Sequence, residues 1–406
     1  MNVDTLVSLA APFTGEQLSV ETQHCLNARW KAAACAACWQ TCPTQAIRPV
    51  PGRSGGLLPM LDAAACVHCG LCLRRCPTGV FGDPSDKPHL LTETLKLLDP
   101  GPALLVCPRV SGEWVDAPAG VRAAVRAPRC LAAWGLADWI EMARTRPVIL
   151  DDRPCAECPI GSNRAHFVRA AQQANRLLAA FDLSAAHPLQ PATSCPALPK
   201  PAVVPILPGD QPAVSRRGFF AALKDAARQA ADTAVISSSA GRANGKPAPV
   251  AQRLPHHLPA ERRRLLEALG RIPRAEPRDE AETPPAQPFE AGDLPLADVQ
   301  VHAAACTACG LCARFCPTAA LRFVTEGERF GLSVRADGCI ACGICAQACP
   351  TQAITLRNTL APADVLANRP RWLAVGRLVA CAACRAPTAE HGPGARCFAC
   401  QRPVTL

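Results

Sequence analysis

The sequence predicts an α+β chain assembled from several small modules, and three observations predict it. Cysteine accounts for 25 of 406 residues, and most of it falls in two blocks of similar design, Cys25 to Cys76 and Cys306 to Cys349. Proline reaches 41 residues while aromatics are only 4% and tyrosine is absent, a composition of small units joined by unstructured chain. Between the blocks, residues 98–184 alternate short apolar runs with longer helical stretches. A chain of this length has room for about two or three domains, and a hydrophobic fraction of 49% can supply their cores.

So many cysteines would suit a disulfide framework in a small secreted protein. The first Lys or Arg is Arg29, so no basic n-region precedes Leu6–Ala11 and no signal peptide is expected. No apolar run approaches the roughly 18 uncharged residues of a membrane span. The expectation is a cytoplasmic protein whose thiolates bind metal.

The formal charge of +10 raises a nucleic-acid partner. No Lys/Arg run interleaved with aromatics supports one, so none is expected. Four-thiolate iron–sulfur centres carry about −2 each, and four of them bring the total to about +2. The basic residues are better read as offsetting buried negative charge.

The C-terminal block (residues 298–358) reads Cys306-x2-Cys309-x2-Cys312-x3-Cys316-Pro317, then Cys339-x2-Cys342-x2-Cys345-x3-Cys349-Pro350. Three thiolates two residues apart wrap one cube through a tight turn. The fourth follows a short helical step and faces the neighbouring cube. The expected sets are therefore Cys306, Cys309, Cys312 and Cys349, and Cys339, Cys342, Cys345 and Cys316. Leu321–Val334 alternates as a hairpin joining the halves.

The N-terminal block (residues 20–85) repeats the design with one departure. Cys66-x2-Cys69-x2-Cys72-x3-Cys76-Pro77 is complete, but the first motif reads Cys25-x9-Cys35-x2-Cys38-x3-Cys42-Pro43, with seven extra residues after Cys25. The separation of the halves is nearly conserved: 23 residues lie between Cys42 and Cys66, and 22 between Cys316 and Cys339. The expected sets are Cys25, Cys35, Cys38 and Cys76, and Cys66, Cys69, Cys72 and Cys42. Without Cys25 the first becomes a three-iron centre or recruits another ligand. His68, inside a CxxC turn, reads as a turn residue. Both blocks resemble the bacterial two-cluster ferredoxins, which implies two ferredoxin-like modules holding four 4Fe-4S clusters.

In the middle, Ala103–Val106 reads as a buried strand ending at Cys107, and Cys130 opens an apolar helical stretch through Ala143. Pro147–Leu150 is a second strand followed by Cys155-Ala-Glu-Cys158, and Asn163–Phe181 a closing helix. This β-α-β-α order gathers cysteines after strand ends and at a helix start. The arrangement is similar to the delta subunit of methyl-viologen-reducing hydrogenases, which implies a 2Fe-2S cluster on Cys107, Cys130, Cys155 and Cys158. Two buried core cysteines plus a structural CxxC is the alternative.

Cys381-x2-Cys384-x12-Cys397-x2-Cys400, within residues 375–406, has zinc-ribbon spacing. Zinc is the expected ion, with a rubredoxin-like iron site as the rival. Cys195 reads as an incidental thiol. Residues 188–297 read as a mostly disordered, Pro-rich linker interrupted by two short helices, one from Ser215 carrying Phe219 and Phe220, the other Glu261–Leu269. Ser215–Phe220 (SRRGFF) has the letters of a twin-arginine export signal, but reads as the capped start of that first helix.

No paired carboxylates, nucleophile–histidine motif or phosphate loop stands out, so no catalytic residue is assigned. The expected function is single-electron transfer to or from a cytoplasmic redox enzyme of molybdenum dehydrogenase, reductase or hydrogenase type. An accessory factor that matures such an enzyme is the competing reading.

Overall fold

Each cysteine block folds as two cysteine turns joined by a hairpin. In a computed structural model, residues 18–52, 55–181, 186–196, 202–210, 256–270, 288–367 and 369–401 are described. In the C-terminal block the predicted hairpin forms, pairing Leu321–Glu326 with Arg329–Val334 across a turn at Gly327. Phe330, Leu332 and Val334 are buried toward the cysteines. Asp298–Val301 pairs antiparallel with Ile354–Arg357 and closes the module. The N-terminal block has the equivalent hairpin, Ile47–Pro51 with Leu57–Leu61, closed by Ser19–Val20 on Phe81–Gly82. Strand Arg371–Ala380 extends the C-terminal hairpin and pairs with Pro387–Ala389, carrying the last four cysteines onto that module.

The middle unit is an α/β layer larger than the sequence suggested. Its six strands lie in the order Trp114–Ala117, Ala202–Pro208, Ala124–Arg126, Ala103–Val106, Val148–Leu150, Leu189–Pro191. The first is antiparallel to its neighbour and the rest are parallel. Ala103–Val106 is fully buried along its length, as an unbroken apolar run in a parallel sheet should be. The closing helix spans Asn163–Ala180. The stretch from Cys130 to Ala143 is not one helix: a short turn, Leu131–Ala133, precedes helix Leu136–Thr145. The break falls at Gly135, whose N–H donates to the Asp138 carboxylate at 2.8 Å and starts the helix afresh.

The linker reading of residues 188–297 needs correction wherever that segment is described. Leu189–Pro191 and Ala202–Pro208 are strands of the middle sheet. Their prolines argued against strands, yet Ala202–Pro205 pairs on one side and Ile206–Pro208 on the other, so each half leaves one edge without ladder bonds. The predicted helix Glu261–Leu269 forms as Ala260–Gly270, and Leu265, Ala268 and Leu269 join the middle core with Leu294 and Leu296. That core also takes Leu91 and Leu95 from an unforeseen helix, Pro88–Leu97. The middle unit therefore extends beyond residues 98–184. The helix expected from Ser215 and the SRRGFF motif lie outside the described residues. Among the described residues no helix is long and apolar enough to cross a membrane.

Candidate metal centres

The cysteine turns are built by backbone, not by side-chain bulk. Ala308 and Ala341, each just before a second cysteine, have φ of 56° and 53°, and Gly310 and Gly343, just after it, 68° and 75°. Successive residues of this kind turn N–H groups inward to form an anion-binding concavity. His68 and Gly70 repeat the pattern at 50° and 76°. His68 is exposed on that turn, consistent with a turn role.

Four short helices follow, Ala37–Thr41, Leu71–Arg75, Leu311–Phe315 and Ile344–Gln347, and the chain leaves each through a Cys-Pro-Thr step. In all four steps the cysteine Sγ lies against the threonine hydroxyl: Cys42–Thr44 at 3.8 Å, and Cys76–Thr78, Cys316–Thr318 and Cys349–Thr351 at 3.7 Å. Backbone N–H groups of Val80 and Ala353 also donate to Cys76 and Cys349 Sγ, at 3.3 and 3.2 Å. The sequence reading passed over these threonines, though the repeated C-P-T triplet was there to be seen.

Thiols from different motifs lie close to one another. Cys306, Cys309, Cys312 and Cys349 line one cavity. Burial, then Cys309, Cys306 and Cys349, pushes Cys312 up to about 12. Cys342 is pushed to about 12 by burial and by Cys316 and Cys339. Burial raises Cys345 further still, with Cys339, Cys342 and Cys316 adding to it. In the N-terminal module Cys72 reaches about 12 through burial, then Cys69, Cys66 and Cys42. Cys38 reaches about 12 through burial, then Cys76, Cys35 and Cys25. Buried thiols that resist ionisation beside one another are what an iron–sulfur core relieves, because iron replaces the protons and offsets the assembled negative charge.

Cys25 lies near Cys35, Cys38 and Cys76 despite the departure in spacing. The extra residues fold as a helical turn, Leu26–Arg29, and a second short turn, Lys31–Ala33. Ala34 then takes φ 47° just before Cys35, restoring the turn seen at His68, Ala308 and Ala341. Asn27, 2% exposed, staples the loop: its amide donates to Cys35 O at 2.8 Å and Leu57 O at 2.7 Å, and its carbonyl accepts from Cys35 N–H at 2.8 Å. This clamp was not read from the sequence.

The four middle cysteines meet at the carboxyl edge of the parallel strands. Cys107, Cys130, Cys155 and Cys158 line a cavity of about 1120 Å³ that also reaches Cys69 of the N-terminal module. Burial, then Cys130, Cys107 and Cys158, pushes Cys155 up to about 12. The Asn163 amide faces Cys130 Sγ at 3.8 Å. Gly161 is required here: a Cβ on it would stand 2.2 Å from Cys155 O. Behind the loop, the fully buried Asp152 carboxylate accepts from Thr193 and Arg164. Burial works against its charge, but these partners hold it below its ordinary range. All four thiols line this one cavity.

The C-terminal cysteines differ in scale. The sulfurs of Cys381, Cys384, Cys397 and Cys400 all lie within 4.8 Å of one another, the one such group among the described residues. Cys384 and Cys397 are 3.6 Å apart, close to the roughly 3.8 Å edge of a tetrahedron with 2.3 Å zinc–sulfur bonds. The Cys397 N–H donates to Cys381 Sγ at 3.3 Å, and this is the main cause holding the Cys381 thiol below its ordinary value. A single ion fits this site; a cube does not.

Residues 33–80 and 305–353 each match the family of 4Fe-4S dicluster domains. The second match spans a complete octet, while the first begins after Cys25. No curated protein matches the chain. The chain thus carries two ferredoxin-type dicluster domains, which support an iron–sulfur electron-transfer role.

Proposed function

We propose that the protein passes single electrons through four 4Fe-4S centres to or from a cytoplasmic redox enzyme of the molybdenum or hydrogenase type. The two dicluster domains, with thiols of different motifs lying beside one another in them, support this reading. The clusters, when bound, supply one-electron storage. The chain's part is to hold four thiolates per centre, to exclude water from them and to aim N–H and hydroxyl donors at the sulfur. Cys25, Cys35, Cys38 and Cys76 hold one; Cys66, Cys69, Cys72 and Cys42 the next. Cys306, Cys309, Cys312 and Cys349 hold the third; Cys339, Cys342, Cys345 and Cys316 the fourth. Cys107, Cys130, Cys155 and Cys158 hold a 2Fe-2S centre in the reading that follows the hydrogenase-delta resemblance. Cys381, Cys384, Cys397 and Cys400 hold structural zinc.

The test is made in the cell. Cys309→Ser with Cys342→Ser should lower the partner enzyme's turnover while its own cofactor content stays intact. A partner made without its cofactor, together with no electron exchange between the purified proteins, establishes a maturation factor instead.

A further inference from the structure

Resting on that electron-carrier reading, we propose that the five cysteine sets form one ordered series within the chain: the middle set beside Cys66/Cys69/Cys72/Cys42, then Cys25/Cys35/Cys38/Cys76, then Cys316/Cys339/Cys342/Cys345, then Cys306/Cys309/Cys312/Cys349. Electrons cross between the two dicluster domains directly, without a partner docking to bridge them.

The junction between the domains is built by the residues that disturb the first motif. Leu26, Trp30 and Ala33, all between Cys25 and Cys35, pack on Phe315, Ile344 and Ala348 of the other domain, and Cys35 and Cys342 border the same patch. The Trp30 and Phe315 rings meet edge to face with centroids 4.7 Å apart. Ile344 is 0% exposed, so water is excluded there. On one flank the Arg29 guanidinium faces the thiols of Cys316 and Cys342 across the boundary. On the other, His24, next to Cys25, stacks on His257 at 4.3 Å with the rings 4° from parallel. The backbone N–H of His257 donates to Pro317 O at 2.8 Å, and His256 Nδ1 sits 2.9 Å from Cys316 O.

The other end of the N-terminal domain is seated on the middle unit. A Cβ at Gly70, in the Cys69 turn, would stand 2.5 Å from Ala133 Cβ, and Arg74 Nε donates to Ala133 O at 2.7 Å. Asn163, 1% exposed, faces Cys130 Sγ at 3.8 Å in the cavity that Cys69 also lines.

Helix Ala260–Gly270 locks this arrangement. Glu261 pairs with Arg74 of the N-terminal domain at 3.1 Å. Arg262, 4% exposed, donates to Asp337 O at 2.7 Å and Ala336 O at 3.0 Å in the turn before Cys339. Arg264 pairs with Asp138 of the middle unit. One helix thus grips all three bodies. Each transfer along the series oxidises one centre by one electron and reduces its neighbour by one, with no bond or proton change; the outside donor and acceptor are the redox proteins already proposed.

The test is electron-spin relaxation in the full chain, reconstituted with iron and sulfide and reduced with dithionite. In a Cys66→Ser/Cys69→Ser background, the remaining N-terminal centre is observed. Adding Cys339→Ser/Cys342→Ser should slow its relaxation several-fold, whereas adding Cys306→Ser/Cys309→Ser should change it little. Trp30→Ala/Phe315→Ala, which keeps every ligand, should slow it too. Relaxation unchanged by removing the Cys339 set and by the Trp30/Phe315 pair, with iron content normal, overturns the series and leaves the carrier reading standing. Low iron in every preparation, the unmodified chain included, overturns both.

Discussion

The two dicluster domains share one family pattern and differ in what surrounds it. The C-terminal domain keeps the compact Cys306-x2-Cys309 turn, and its outer side is covered by an added strand and the four-cysteine knuckle. Thr388 and Ala389 of the knuckle bond Thr307 O, and His391 Nε2 sits 2.8 Å from Cys306 O. The N-terminal domain opens the equivalent turn and uses the added residues to reach its twin. Equivalent side chains consequently serve different neighbours. Leu71 and Ile344 each precede the third cysteine of a motif; Leu71 is buried in the middle core and Ile344 in the inter-domain junction. A motif fixes the metal pocket, while the residues it leaves free decide how pockets are arranged.

The comparison breaks most visibly at the ligands. Cys76→Ser should remove the centre of Cys25, Cys35 and Cys38, and Cys349→Ser that of Cys306, Cys309 and Cys312, each at a cost of about four iron. Spectra in which Cys76→Ser alters only the Cys66, Cys69 and Cys72 centre contradict the crossed sets. Cys25→Ser should match Cys306→Ser in effect; an unaltered four-iron centre in it removes Cys25 from the ligands.

Next come the equivalent apolar positions. Ile344→Ala and Leu71→Ala should each cost about 3 kcal/mol, read by denaturant unfolding. Leu311→Ala, at the same motif position but half-exposed, should cost clearly less. Equal losses at all three make the neighbours irrelevant.

Removing zinc from the knuckle with a chelator should leave the N-terminal centres unchanged and speed oxidative loss of the Cys306 centre, followed by its EPR signal in air. One zinc per chain is expected by elemental analysis, and iron with a rubredoxin-like visible spectrum reverses the assignment. The smallest effect belongs to Thr351→Val. A hydroxyl donating to sulfur favours the more negative, reduced state, so its loss should lower the potential of the Cys306/Cys309/Cys312/Cys349 centre in an EPR-monitored redox titration. A rise contradicts the donor role.

The two dicluster domains were legible because the cysteine spacing that defines them is local in the chain. The hairpin Leu321–Val334 and the apolar strand Ala103–Val106 were legible for a similar local reason. What escaped depends on distant partners. Ala202–Pro208 has poor strand chemistry and becomes a strand because each half borrows a different neighbour. Helix Ala260–Gly270 was visible as a helix, but its gripping of three bodies through Glu261, Arg262 and Arg264 has no signature in a periodicity. Asn27 and Asn163 are polar side chains whose importance is set by burial alone. The packing of Leu26 and Trp30 against Phe315 and Ile344 likewise joins residues about 300 positions apart.

The central claim is the cluster content. Anaerobic purification with iron and sulfide analysis and EPR of the reduced protein should give about sixteen iron per chain from four 4Fe-4S centres, rising by about two with the middle centre filled. Reproducible reconstitution to eight iron or fewer, in a protein that is folded and reduced, contradicts the account.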